Sequence, residues 1–148
     1  DLPLFINEPR RLIDIPDTLR RLAVLTGNQQ QAETVIVDFR ARLEALQRFS
    51  DRQPVKVFYQ IWDRPLMTVN DEHLIGDVIR LCGGHNVFGE TVSLTPQVSE
   101  ESVIAKAPQA IVIGGMGEQH AEWIERWQRW NDAAASPVAV PDAVGGRS

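Results

Sequence analysis

The chain has 148 residues, of which 43% are hydrophobic and 24% charged, with a formal net charge of -5. That length suits one domain with a sizeable core, and the acidic balance argues against nucleic acid and anionic membranes, which reward clustered Lys and Arg. No apolar run approaches the ~20 residues of a membrane span, and the lone cysteine, Cys82, excludes an internal disulfide and a Cys-rich zinc site.

In chain order, residues 2–6 read as a short strand with Pro3 near its start, and residues 7–11 as a polar turn. The opening has no initiating Met and no basic leader, so the chain reads as a fragment or a processed product. Pro16 and Asp17 open a helix, since Pro suits a first turn and Asp complements the helix dipole. Ile15, Leu19, Leu22 and Ala23 share one face of it, and Gly27-Asn28 stops it with a left-handed cap. Residues 30–49 carry the longest helical signal. Ala32, Val35, Ile36, Phe39, Leu43 and Leu46 recur at three- and four-residue steps, opposite Glu33, Arg40, Glu44 and Gln47. Such a helix is roughly 30 Å long and suits a strut.

Residues 55–61 form a strand, with Val55, Val57 and Tyr59 on one face and Phe58 and Gln60 on the other. A loop follows at 62–67. Residues 71–82 form a helix with a core stripe of Leu74, Ile75, Val78, Ile79 and Cys82, ended by Gly83-Gly84. On that stripe Cys82 is expected to be a buried, inert thiol. Residues 86–95 read as irregular. Ser99 caps a short helix that runs to Lys106, Pro108 breaks it, and 110–113 is a buried strand. Residues 114–117 make a tight turn, and 118–130 an amphipathic helix with Trp123, Trp127 and Trp130 on one face. Residues 137–140 read as a last strand, and 145–148 as a disordered tail. The alternation from residue 55 onward predicts an α/β fold with a mainly parallel sheet.

Enzymatic chemistry finds little purchase here. His73, His85 and His120 lie far apart, with no partner at metal-ligand spacing. Gly114-Gly115-Met116-Gly117 follows a strand but lacks both GxGxxG spacing and a Lys-Ser/Thr ending. Ser93, Ser99 and Ser102 have no nucleophile context. No enzyme and no cofactor are expected. Trp62 is different, because its loop lies at the C-terminal end of a strand, where α/β folds bind ligands. From the residues alone it either caps the sheet edge or faces a ligand, with equal weight.

Phe58-Tyr59-Gln60-Ile61-Trp62, followed by Leu74-Ile75-Gly76-Asp77-Val78-Ile79-Arg80-Leu81-Cys82-Gly83-Gly84-His85-Asn86-Val87-Phe88, resembles the C-terminal lobe of the cobalamin and siderophore class of ABC-importer binding proteins. Pro96-Gln97-Val98-Ser99 before a short helix, and Ala107-Pro108-Gln109-Ala110-Ile111-Val112-Ile113, agree with it. The likeness is greatest to the cobalamin branch and spans residues 2–130. It implies a Rossmann-like three-layer α/β lobe preceded by a long interdomain helix. It divides the chain into an N-terminal-lobe remnant (1–28), a connecting helix (29–50), a C-terminal lobe (51–141) and a tail (142–148). The family continues past the strand at 137–140 to a further loop and a final helix, where this chain departs from it.

The resemblance implies a periplasmic or lipid-anchored protein that holds a corrinoid between two lobes and hands it to the importer's membrane subunits. A corrin is a large, flat, partly apolar ring edged with amides, and it favours an apolar face with a few hydrogen bonds. Trp62, Pro65, Leu66 and Met67 are expected to supply the face, and Asp63 and Arg64 the polar edge. Thr95, Pro96 and Gln97 form a second ligand loop, with Thr95 where the family often carries an aromatic. Glu101, with Glu100 as the alternative, matches the acid that docks on arginines of the membrane subunits. The rival within the class is a siderophore or haem binder, and outside it a small α/β enzyme or regulatory domain. Apolar surface on the first two helices leads to the expectation of a dimer.

Overall fold

The computed structural model describes residues 4–47, 53–114 and 120–133. Two helices come first. Helix α1, Ile15–Thr26, starts with Pro16 in its first turn and ends at Gly27, whose φ of 72° is the left-handed conformation that glycine adopts without a Cβ penalty. Helix α2, Gln29–Gln47, is about 28 Å long at 1.5 Å per residue and packs on α1. The buried residues of this pair are Pro16, Ala23 and Ile36. Leu22, Val24, Leu25, Val35 and Val37 stay exposed. The expected stripes are largely buried or half-buried, with Leu22, Val35 and Leu46 exposed, while Val24, Leu25 and Val37 add exposed apolar side chains outside them.

The rest of the described residues form a three-stranded parallel sheet with helices around it. Strand β1, Val55–Gln60, is central; β2, Gly84–Asn86, and β3, Ala110–Ile113, flank it in the order β2-β1-β3. In register, Val57 lies opposite Asn86 on one side and Ala110 on the other. Helix α3, Leu74–Leu81, joins β1 to β2; α4, Glu100–Lys106, precedes β3; α5, His120–Ala133, follows it. A central strand must bury both faces, and Val57, Phe58 and Gln60 do so. The core groups Phe58, Leu66, Val87, Phe88, Val103, Ile111 and Trp127. Phe58 meets Phe88 and Trp127 edge-on, with ring centroids 5.8 and 5.6 Å apart, each contact worth about 0.5–1.5 kcal/mol beyond area burial.

Several expectations need correction. Residues 4–6 form no strand; they are irregular and exposed, since three apolar residues without a pairing partner do not make one. The helix expected over 71–82 is shorter, because His73 caps it and Cys82 lies just past its end. Cys82 is exposed rather than buried, and Val78 also faces outward. Strand β2 lies partly in a stretch expected to be irregular. The expected strand at 137–140, the tail, and most of the turn at 114–117 fall outside the described residues.

Gly76 is fixed by close approach. A Cβ there would lie 2.5 Å from the Asn70 carbonyl oxygen, so α3 packs on the segment after the Trp62 loop only because the position is glycine.

Candidate functional site

The site is built from two segments that leave the sheet at its C-terminal edge. After β1 the chain turns back on itself: Met67 N–H donates to the Trp62 carbonyl at 3.1 Å, and Ile61 N–H to the Met67 carbonyl at 3.0 Å. Residues 66–70 then run antiparallel to residues 94–98. Val98 N–H donates to the Leu66 carbonyl at 3.0 Å, Thr68 N–H to the Pro96 carbonyl at 3.1 Å, and Asn70 N–H to the Leu94 carbonyl at 3.0 Å. Met67 bridges Trp62 on one side and Gln97 on the other. The two loops expected at the ligand surface are therefore one hydrogen-bonded platform.

Two buried asparagines hold it down. Asn86, at the end of β2, donates from Nδ2 to the Val69 carbonyl at 2.9 Å and accepts from Phe88 N–H at 3.1 Å. Asn70 donates from Nδ2 to the Thr91 carbonyl at 2.9 Å and accepts from Glu72 N–H at 3.0 Å. The Asn86 amide thus pairs backbone groups that would otherwise be buried and unsatisfied, and the Asn70 amide pairs partly buried ones. At the end of β1, fully buried Gln60 accepts the indole N–H of Trp127 at 2.7 Å.

The candidate residues divide by exposure. Trp62 is 54% exposed, and its indole N–H donates to the Arg64 carbonyl at 3.1 Å. The ring is thereby held by its edge while much of it stays open. Pro65 and Gln97 are exposed, and Met67, Thr95 and Pro96 half-buried. Arg64 points its guanidinium into solvent, with Asp63 at 3.4 Å. Two expectations fail. Leu66 is 7% exposed and belongs to the core, because the turn alternates its side chains and sends this one inward. Asp63 is no free polar edge, since Arg126 of α5 forks onto it: Nη2 donates to Oδ2 at 3.0 Å and Nη1 to Oδ1. The same Nη1 reaches Glu100 at 3.2 Å.

Sequence reasoning missed Arg126. Its signal was faint: the residue follows Trp123 by three positions on the helix whose tryptophans face the sheet, which sets it at the flank of that face. At the start of α4, Ser99 is the N-cap and its hydroxyl accepts from Ser102 N–H at 3.2 Å. Glu101 is exposed. Its own backbone N–H and the Ser99 hydroxyl hold its carboxyl below the usual range, so it stays anionic.

Trp62, Asp63, Arg64, Glu122 and Trp123 line a shallow depression of about 220 Å³. Ligand pockets that enclose a drug-sized molecule run to roughly 300–1,000 Å³, so this surface is one wall rather than a container. Among the described residues no group of three His, Cys, Asp or Glu could hold a metal, and no helix is long and apolar enough to cross a membrane.

The chain matches the periplasmic binding protein family over residues 4–136. It is 34% identical over 133 residues to the vitamin B12-binding protein of Pectobacterium atrosepticum, covering 86% of this chain and 48% of that protein. It is 34% identical over 119 residues to the vitamin B12-binding protein of Yersinia pestis, covering 80% and 42%. Among solved structures, the periplasmic vitamin B12 binding protein of Vibrio cholerae superposes with a TM-score of 0.73 at 30% identity, covering 87% of this chain and 50% of that one. A haem-complexed protein of Staphylococcus aureus shares the fold, with a TM-score of 0.67 at 17% identity. The chain spans about half the length of the curated relatives it matches.

Proposed function

The chain belongs to the periplasmic binding protein family, and from that premise we propose that it forms one lobe of a corrinoid-binding protein. That protein works in the periplasm or at the outer face of the cell membrane and delivers its ligand to an ABC importer. Residues 1–28 belong with the partner lobe, 29–50 form the connecting helix, and 51–141 the lobe that carries the platform. No catalytic step is assigned to it.

The observation that carries the reading is the joined platform of residues 61–70 and 94–98, with the half-open Trp62 ring, Pro65 and Met67 beside Thr95, Pro96 and Gln97. An aromatic face next to amide and hydroxyl groups suits a flat ring edged with amides. Charge favours a near-neutral ligand. Asp63 and Glu100 offset Arg126 and Arg64, and the exposed Glu101 and Glu122 leave the surface acidic. A catecholate siderophore or a haem with two propionates is anionic and would gain from several unpaired Arg or Lys. Glu101 is the docking acid in this reading, because Glu100 is already engaged by Arg126.

The test is an equilibrium titration of the full-length protein that contains this chain with cyanocobalamin, cobinamide, haem and a ferric catecholate siderophore. Submicromolar affinity for a corrinoid, and at least tenfold weaker binding of the anions, is expected. Preference for haem or the siderophore would replace the corrinoid reading.

A further inference from the structure

A guanidinium presents five N–H donors in one rigid plane, and Arg126 divides them between two segments far apart in sequence. One is Asp63, inside the Trp62 loop; the other is Glu100, the first residue of α4. The Arg126 and Asp63 side chains are only 19% and 14% exposed. A forked pair shielded to that degree is more than a surface ion pair, and removing one partner leaves a partly buried charge behind.

The contacts continue in both directions. Asp63 lies 3.4 Å from Arg64 Nε, and the Arg64 carbonyl accepts the Trp62 indole N–H at 3.1 Å. On the other side, Glu100 adjoins Glu101 in a helix turn fixed by the reciprocal Ser99–Ser102 hydrogen bonds at 3.2 Å. Arg126 itself stands on firm ground, because its neighbour Trp127 is buried and bonded to Gln60. Its hydrogen bond to Asp63 raises the guanidinium further above its ordinary range, so it is charged at every working pH.

We propose that Arg126 is a positioning residue that locks the Trp62 loop and the first turn of α4 into one unit, so that the ligand surface and the docking acid share one geometry. This rests on the reading of residues 62–67 as ligand surface. Ligand that orders the Trp62 loop then also orders the start of α4, and by linkage a partner that grips α4 tightens the ligand surface.

The test uses the full-length protein with cyanocobalamin as the probe. Arg126→Gln should weaken cyanocobalamin about tenfold, and Arg126→Lys should rescue it only partly, because an ammonium cannot fork onto a carboxylate. Arg126→Gln and Asp63→Asn should be non-additive, the double variant binding about as well as either single one. In the parent, cyanocobalamin should slow amide hydrogen exchange at Ser102 and Val103; in Arg126→Gln that protection should vanish even with the ligand saturating. A brace that served stability alone would lower the Tm and leave the cyanocobalamin Kd within twofold of the parent, which would overturn the inference. Saturating ligand that still protects α4 in Arg126→Gln would overturn it as well. A parent protein that bound no cyanocobalamin would overturn the ligand reading and this inference together, whereas a binding parent with an unaffected Arg126→Gln would overturn this inference alone.

Discussion

Replacing Trp127 with Phe isolates the buried hydrogen bond that ties α5 to the end of β1. Trp127 is 2% exposed, and its indole N–H donates to Gln60 Oε1 at 2.7 Å. Gln60 is fully buried, and its Nε2 has no hydrogen-bond partner among the described residues. The substitution therefore leaves the whole amide unsatisfied, which costs about 1–3 kcal/mol. The smaller ring also leaves a void, a further ~1–2 kcal/mol if scaled from the ~3–5 kcal/mol of a full Trp→Ala truncation. The sum is about 2–5 kcal/mol. Gln60→Met removes the orphaned Nε2 but strands the Trp127 indole N–H, so the count of unsatisfied polar groups is unchanged and the variant should be close to neutral. In the double variant the polar penalty disappears, so roughly 1–3 kcal/mol of the Trp127→Phe loss should return and only the void cost should remain. Urea denaturation followed by circular dichroism measures each value through a shift in midpoint at constant m. Strict additivity of the two changes, or a Trp127→Phe loss below ~0.5 kcal/mol, would refute the assignment of this bond.

Glu101→Arg in the full-length protein should leave cyanocobalamin affinity intact and sharply reduce uptake by whole cells; normal uptake with Glu100 also neutralised would remove the docking role. His73 caps α3 by accepting Ile75 N–H at 3.1 Å through Nδ1, and burial holds its pKa below the ordinary 6.5. The unfolded chain therefore binds more protons between the folded pKa and 6.5, so stability is full above pH 6.5 and falls as pH drops through that window. A small loss of stability over that window is expected, and His73→Asn should flatten that slope in pH-dependent denaturation. The exposed Leu22, Val24, Leu25, Val35 and Val37 of the first two helices should make this chain self-associate, and a clean monomer by light scattering at high concentration would contradict that.

Features encoded within a few residues were legible in the sequence. Pro16 and Gly27 bound α1, Ser99 caps α4, and the Trp123 and Trp127 spacing marks the buried face of α5, because caps and helical periodicity act locally. Strand β2 was not legible, since Gly84, His85 and Asn86 have little strand propensity and are extended only through pairing with β1. The misplacement of Cys82 came from extending the apolar stripe one residue past the last helical turn. The turn after β1 was legible from its place at the end of the strand, but whether Trp62 caps the sheet edge or stands open was not, and its 54% exposure came only with the structure. Asp63 was misread because its partner Arg126 lies 63 positions away, a contact that no local pattern encodes. Leu66 was misread because its burial depends on the Trp62–Met67 turn and on its pairing with Val98, 32 positions away, which no local pattern encodes.

The central claim is that the Trp62 surface forms one wall of a corrinoid site, and Trp62→Ala in the full-length protein tests it most directly. Trp62 is half exposed and lies outside the core group, so the Tm should shift little. Loss of an aromatic anchor at a binding surface costs about 1–3 kcal/mol, or roughly 5- to 150-fold in the cyanocobalamin Kd. A titration that finds this loss with a near-parental melting curve is the expected result; unchanged affinity together with a large fall in Tm would mean that Trp62 only supports the fold, and would contradict the claim.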